Sequence, residues 1–287
     1  MFTDVYRTLA KLRNSIQKIE KAVGDPPKKA AALLVGINYP GTTSALQGCV
    51  NDVRNVEKIL NTVYGVPHDH ILCLTDEPNS DNAHIPTKQN ILAGIAWLLG
   101  TECESLWFHY SGHGTWQSDA DGEEKDGRDE CIVASDFQIL SDDVLLQKLV
   151  EPLPANTVLT AFMDCCHSGT QLDLRYRYVG GSHSTIENPR SVVSGRALVI
   201  SGCRDAQTSA DAYIKGNWAG AMTQLLLQVL KDADYEITCY ALLRKLRHLL
   251  KRHGYTQIPQ ISCSQRLTGT SPFSSKVLSS AFVKPNT

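Results

Sequence analysis

TVLTAFMDCCHSGT, residues 157–170, runs from an apolar stretch straight into two cysteines, a histidine and a Ser-Gly turn. A run that is apolar on both faces is a strand buried on both sides, the kind that lies inside a parallel sheet covered by helices. Four further segments read the same way: AAALLVGI (30–37), ILCLT (71–75), SLWFHY (105–110) and RALVIS (196–201). Helical patterns separate them near 46–63, 87–99, 142–151, 219–232 and 238–253. This alternation predicts an α/β fold, a three-layer α/β/α sandwich with a mostly parallel central sheet. Two stretches read as long loops, the acidic 115–130 and the Gly-, Ser-, Arg- and Asn-rich 174–195,.

The chain of 287 residues is long enough for such a core, with 42% hydrophobic and 20% charged residues,. A net charge of −2 gives no reason to expect nucleic acid or a membrane surface as partner,. Nine cysteines, with no Cys-x-x-Cys pair and no apolar leader or membrane span, point to a reducing cytoplasm,. Val5, Leu9, Leu12, Ile16, Ile19 and Val23 form one helical stripe, opposite a basic face, before the breaker GDPPKK at 24–29,. Residues 1–29 are therefore expected to be an amphipathic helix and linker, and 30–287 the functional domain.

In an open α/β sheet, ligands bind beyond the carboxyl ends of the strands. Two strands end in chemically equipped turns there: SLWFHYSGHG delivers His113, and TVLTAFMDCCHSG delivers Cys165, Cys166 and His167. Flanking Ser and Gly residues let a substrate backbone come close. A thiol and an imidazole brought together this way make a nucleophile and its base. The backbone N–H groups of Gly114 and Cys166 then suit an oxyanion. His109 and Cys165, at or within strands, read as buried packing residues. A zinc site is disfavoured, because adjacent Cys-Cys-His side chains leaving a strand cannot all point at one ion.

HYSGHGT, followed 53 positions later by DCCHSGT and preceded by LLVGINYPGTTSALQGCVNDV, resembles the caspase-like cysteine peptidases, specifically the metacaspases,. The resemblance runs from about residue 30 to the end and includes SGCRDAQTSADA (201–212), GAMT (220–223) and YTQIPQIS (255–262). It implies a caspase-like fold and an endopeptidase with Cys166 as nucleophile and His113 as base, leaving Cys165 to packing. It also implies protein or peptide substrates with Arg or Lys before the cut bond, held by Asp52 and Asp164 with Cys49 and Ser111 as neighbours. A carboxylate is the natural partner of a guanidinium. Cleavage after Asp would require basic residues where these two acids stand. The rival reading from another class is a non-proteolytic scaffold in stress or protein quality control.

The acidic stretch DADGEEKDGRDE (119–130) imitates an EF-hand, but its sixth position is Glu124 where glycine is required, and no helices flank it,. The resemblance instead implies an activating calcium held by Asp129, Asp142, Asp143 and Asp173, with Ser141 where relatives often carry an aspartate. Hard oxygen ligands suit that ion. The arginines of 174–196 are candidate self-cleavage sites. Arg190 is favoured, since Pro189 biases the chain before it toward an extended form. The expected working unit is a monomer.

Overall fold

The computed structural model describes residues 30–273, apart from 79, 119–126, 166–171, 180–183, 187, 189, 190, 192, 203–210 and 215–216; for 184 and 211–219 it describes backbone only. The expected N-terminal helix and linker, the nucleophile Cys166 and Arg190 all lie outside the described residues.

Along the chain come β1 (Ala30–Gly36), α1 (Cys49–Thr62), β2 (Ile71–Thr75), α2 (Lys88–Gly100) and β3 (Ser105–Ser111). A three-stranded meander follows: β4 (Gly114–Ser118), β5 (Arg128–Val133) and β6 (Ile139–Ser141). The short α3 (Asp142–Leu145) then runs through a π turn over Leu146–Val150. Next are β7 (Val158–Asp164), β8 (Tyr176–Tyr178), β9 (Ser184–Ile186) and β10 (Arg196–Ser201). The hairpin β11 (Asp211–Ile214) and β12 (Asn217–Gly220) leads into α4 (Ala221–Asp232), α5 (Cys239–Arg252) and β13 (Gln260–Cys263).

The central sheet has eight strands in the order β2-β1-β3-β7-β10-β13-β8-β9. The first five, the apolar runs of the sequence, are mutually parallel. The last three join antiparallel. Every residue of β1, β3 and β7 is buried, as strands covered on both faces must be,. On one face Val53, Val56 and Leu60 of α1 pack with Leu226 and Leu230 of α4 and Leu242 and Leu246 of α5. On the other, Ile91, Ile95 and Leu98 of α2 pack with Leu145 and Leu149. The molecule is thus the expected three-layer sandwich.

Both predicted long loops need correction. Residues 114–118 and 128–133 form β4 and β5, and 176–178 and 184–186 form β8 and β9. β13 and the β11–β12 hairpin were equally invisible in the pattern. These strands are three to six residues long, and β4 and β8 are only partly buried, so they lack the continuous apolar run of a central strand,. Their sheet membership comes from neighbours distant in sequence: β8 finds its partner in β13, with Ser262 opposite Arg177.

Candidate active site

β3 and β7 end side by side, with Ser111 opposite Asp164 and the Gly112 N–H donating to the Asp164 carbonyl at 3.3 Å. A side chain at 112 has no room, because a Cβ there would lie 2.6 Å from the Tyr110 hydroxyl and 3.1 Å from that of Tyr39. His113 follows, half-buried at the carboxyl edge of the sheet. One rung before β4 begins, Val133 N–H donates to the His113 carbonyl at 3.0 Å. The reciprocal bond is bridged: His113 N–H donates to the Tyr39 hydroxyl at 3.1 Å, which donates to the Val133 carbonyl at 2.6 Å. Tyr110 donates to the His113 carbonyl at 2.7 Å. Two buried phenols therefore shape the turn that presents the imidazole. Burial holds both phenols neutral by raising their pKa values,.

The Tyr39 ring also lies against the imidazole, centroids 4.7 Å apart. Nε2 of His113 is 2.6 Å from the Ser44 carbonyl. A carbonyl only accepts, so Nε2 is the donor there, and in the neutral ring Nδ1 keeps the lone pair that can take a proton from a thiol. Because residues 113 and 133 face each other as a hydrogen-bonding pair, the antiparallel alternation turns the Gly114 N–H away from β5, as an oxyanion donor requires,. Cys165 is fully buried in the α2-side core, so it packs as expected.

Asp52 and Asp164 come together, 112 positions apart in sequence, as buried carboxylates. Ser111 Oγ donates to Asp52 Oδ2 at 2.8 Å, and Gly220 N–H reaches the two Asp52 oxygens at 3.1 and 2.9 Å. Asp164 Oδ2 accepts from both the N–H and the hydroxyl of Thr223 at 2.9 Å. Both carboxylates close over the Cα of Gly220, where a Cβ would collide with each. Cys49 opens α1 beside them, its N–H donating to Asn38 Oδ1 at 3.0 Å. Gly220 and Thr223 stood in the sequence as part of GAMT and were not singled out. Nor was Tyr39, whose only signal is the NYP string after β1.

The acids expected to hold calcium divide. Asp129, Asp142 and Asp143 lie with carboxylate oxygens within 4.8 Å of one another, the first two buried and the third exposed. Asp173, buried and with a φ of +39°, is not in that group. Asp142 is oriented by the N–H groups of Glu130 (2.9 Å) and Asp143 (3.0 Å), and Asp129 by Gln117 Nε2 (3.0 Å). Ser141 Oγ accepts from Val144 N–H at 3.4 Å as the cap of α3 and so has a structural use of its own,. Burial, joined by the charges of Asp142, Asp129 and Glu130, pushes the nearby Cys131 thiol up to about 12. Three hard carboxylates in one group match what calcium takes.

A model of the metacaspase peptidase C14 domain matches residues 28–175. Among curated relatives, Metacaspase-1 of Meyerozyma guilliermondii is 38% identical over 81% of this chain and 69% of its own length. The Yarrowia lipolytica and Schizosaccharomyces pombe proteins of the same name are 38% and 34% identical, covering 82% and 83% of this chain. This chain spans 62% and 68% of those two relatives. Among solved structures, a Geobacter sulfurreducens protein shares the fold with a TM-score of 0.59 at 23% identity, over 82% of this chain and 93% of its own. Caspase-1 of Spodoptera frugiperda does so at 0.53 and 14%, over 85% and 92%. The caspase-like sandwich, the presented histidine and these relatives converge on one conclusion: the chain belongs to the metacaspase family of cysteine peptidases.

Proposed function

We propose that this chain hydrolyses peptide bonds that follow Arg or Lys, with Cys166 as nucleophile and His113 as its acid–base partner. Nδ1 of His113 takes the thiol proton, and the thiolate sulfur bonds to the scissile carbonyl carbon. The resulting oxyanion is met by the N–H groups of Gly114 and Cys166. As the C–N bond breaks, the imidazolium returns its proton to the departing amine. Water, deprotonated by the same imidazole, then releases the acyl group from sulfur.

The observation that carries the substrate reading is the buried pair Asp52 and Asp164, each fixed by hydrogen bonds beside the end of β3 that presents His113. Two anchored carboxylates suit a guanidinium, which offers paired donors, and they repel an acidic side chain. The proposal extends to calcium held by Asp129, Asp142 and Asp143, where the ion would neutralise three crowded carboxylates,. It extends further to self-cleavage after Arg190. Arg177 and Arg196 lie in the paired strands β8 and β10, whose ladder bonds would have to break first, which supports Arg190 over them.

Fluorogenic peptides ending in Arg and in Asp, each with calcium and with chelator, test the reading together. Calcium-dependent release from the Arg peptide alone is expected. Release from the Asp peptide, or from neither, overturns it, the latter in favour of a scaffold. Incubating wild type and Cys166→Ala with calcium and sequencing the new termini tests Arg190: a terminus there in the wild type alone is expected, and equal fragments in both refute it.

A further inference from the structure

We propose that Phe137, backed by Tyr39, forms an apolar subsite for the substrate residue that follows the cut bond; this rests on the peptidase reading above. Phe137 is 52% exposed, although a large aromatic gains by leaving water,. Its φ of +59° is a left-handed conformation that a bulky side chain adopts at a cost, and such strain clusters at ligand sites,. The turn that imposes both is tightly built. Phe137 N–H donates to the Ala134 carbonyl at 2.9 Å, and Ser135 N–H donates to the Pro86 carbonyl at 3.0 Å. Asp136 Oδ1 accepts from Lys88 and Gln138 N–H at 3.3 Å each. The ring so displayed lies 5.7 Å from that of Tyr39, which lies 4.7 Å from His113. Two rings, Tyr39 and then Phe137, thus step outward from the imidazole.

The side of the molecule identifies which substrate residue meets them. Asp52, Asp164 and Ser111 belong to the face of the sheet covered by α1 and α4, where Thr223 and Gly220 bind the carboxylates. Tyr39 and Tyr110 belong to the opposite, α2-side core. Along the sheet edge, Phe137's turn is tied to the segment after β2, then come Tyr39 after β1, His113 after β3 and Asp164 ending β7. His113 stands between the carboxylate pair and Phe137. The imidazole protonates the departing amine, so the residue carrying that amine emerges on the Phe137 side. An aromatic or large aliphatic side chain there covers the exposed ring.

The test uses peptides identical except for the residue X after Arg, with X = Phe, Leu, Gly or Asp, and chromatographic measurement of kcat/KM. Wild type is expected to favour Phe over Gly by roughly fivefold, the scale of one aromatic pair. Phe137→Gly removes the ring and relieves the positive φ, so its thermal midpoint should not fall while the Phe/Gly ratio drops to about one; Phe137→Trp should keep the preference. Because each ratio is internal to one enzyme, altered folding cannot imitate the loss. A wild type indifferent to X, a ratio unchanged in Phe137→Gly, or a preference that this variant abolishes at the residue before Arg instead, overturns the subsite. Failure to cut any of the Arg peptides overturns the Arg reading itself, a distinct outcome.

Discussion

At the scale of single residues, Tyr39 does more than its place in a loop suggests. It adopts a φ of +48°, and the N–H groups of Asn38 and Tyr39 are gripped by Asp76 at 2.9 and 2.6 Å. That clamp aims the phenol at the His113 rung. Tyr39→Phe keeps the ring and removes the hydroxyl bridge, so kcat should fall about tenfold or more with KM nearly unchanged. The lost buried hydrogen bonds should cost about 1–3 kcal/mol in urea unfolding. A fall confined to stability would show that Tyr39 supports the fold and not the imidazole. Removing one partner of a desolvated charge pair typically costs about 3–5 kcal/mol, so Asp164→Asn should lower kcat/KM on Arg peptides roughly 10²- to 10⁴-fold. The same variant should leave alkylation of Cys166 by iodoacetamide unimpaired. Wild-type cleavage by Asp164→Asn would remove Asp164 from the pocket. At this scale the sequence was legible where a residue type carries chemistry in itself, as with His113, Asp52 and Asp164. Tyr39 and Thr223 stayed hidden because a phenol or a hydroxyl means nothing until its partner's position is known.

At the scale of elements, the meander β4–β6 and the first turn of α3 assemble the acidic group. Asp129 comes from β5, while Asp142 and Asp143 open α3, where a helix N-terminus favours negative charge,. Calcium that binds only the folded protein stabilises it by about 2.7 kcal/mol at a hundred times its dissociation constant. The thermal midpoint should therefore rise with millimolar calcium, and Asp129→Ala should abolish that rise. Ser141→Asp retains a good cap and adds charge beside the group, so it should shift the response to lower calcium. A midpoint indifferent to calcium in the wild type would refute the site without any appeal to activity.

At the scale of the whole molecule, His109 links the core to pH. It is wholly buried in β3, its Nδ1 donating to the Phe162 carbonyl at 3.1 Å, and burial lowers its pKa to about 4. The folded chain keeps it neutral, whereas the unfolded chain binds a proton below about pH 6.5. Between pH 6.5 and 4 the unfolded state therefore holds more protons, and stability falls as pH falls through that window. By pH 5 the loss is about 2 kcal/mol from this group alone. Urea midpoints at pH 7 and 5 check it: His109→Asn should lose less stability between the two than wild type, whatever its starting level. Equal losses would refute the assignment.

The amino-acid sequence by itself determined the five parallel strands and the helices between them, since strands buried on both faces, as β1, β3 and β7 are, must be apolar throughout and a helix on the sheet must repeat near 3.6 residues,. β2, read the same way, instead lies at the sheet edge and is mostly half-buried. The sequence likewise pointed to the imidazole turn, because strand ends in such a sheet open onto one edge, where His113 follows β3,. Only tertiary structure decided the short outer strands, whose stability comes from partners far along the chain, as Arg177 in β8 pairs with Ser262 in β13. Only tertiary structure brought Gly220 and Thr223 under Asp52 and Asp164, excluded Asp173 from the acidic group, and stood Phe137 beside the catalytic edge. The reason is common to all of these. Local periodicity reports which face of an element is buried, whereas the partner of a polar or exposed group depends on distances that exist only after the chain has folded.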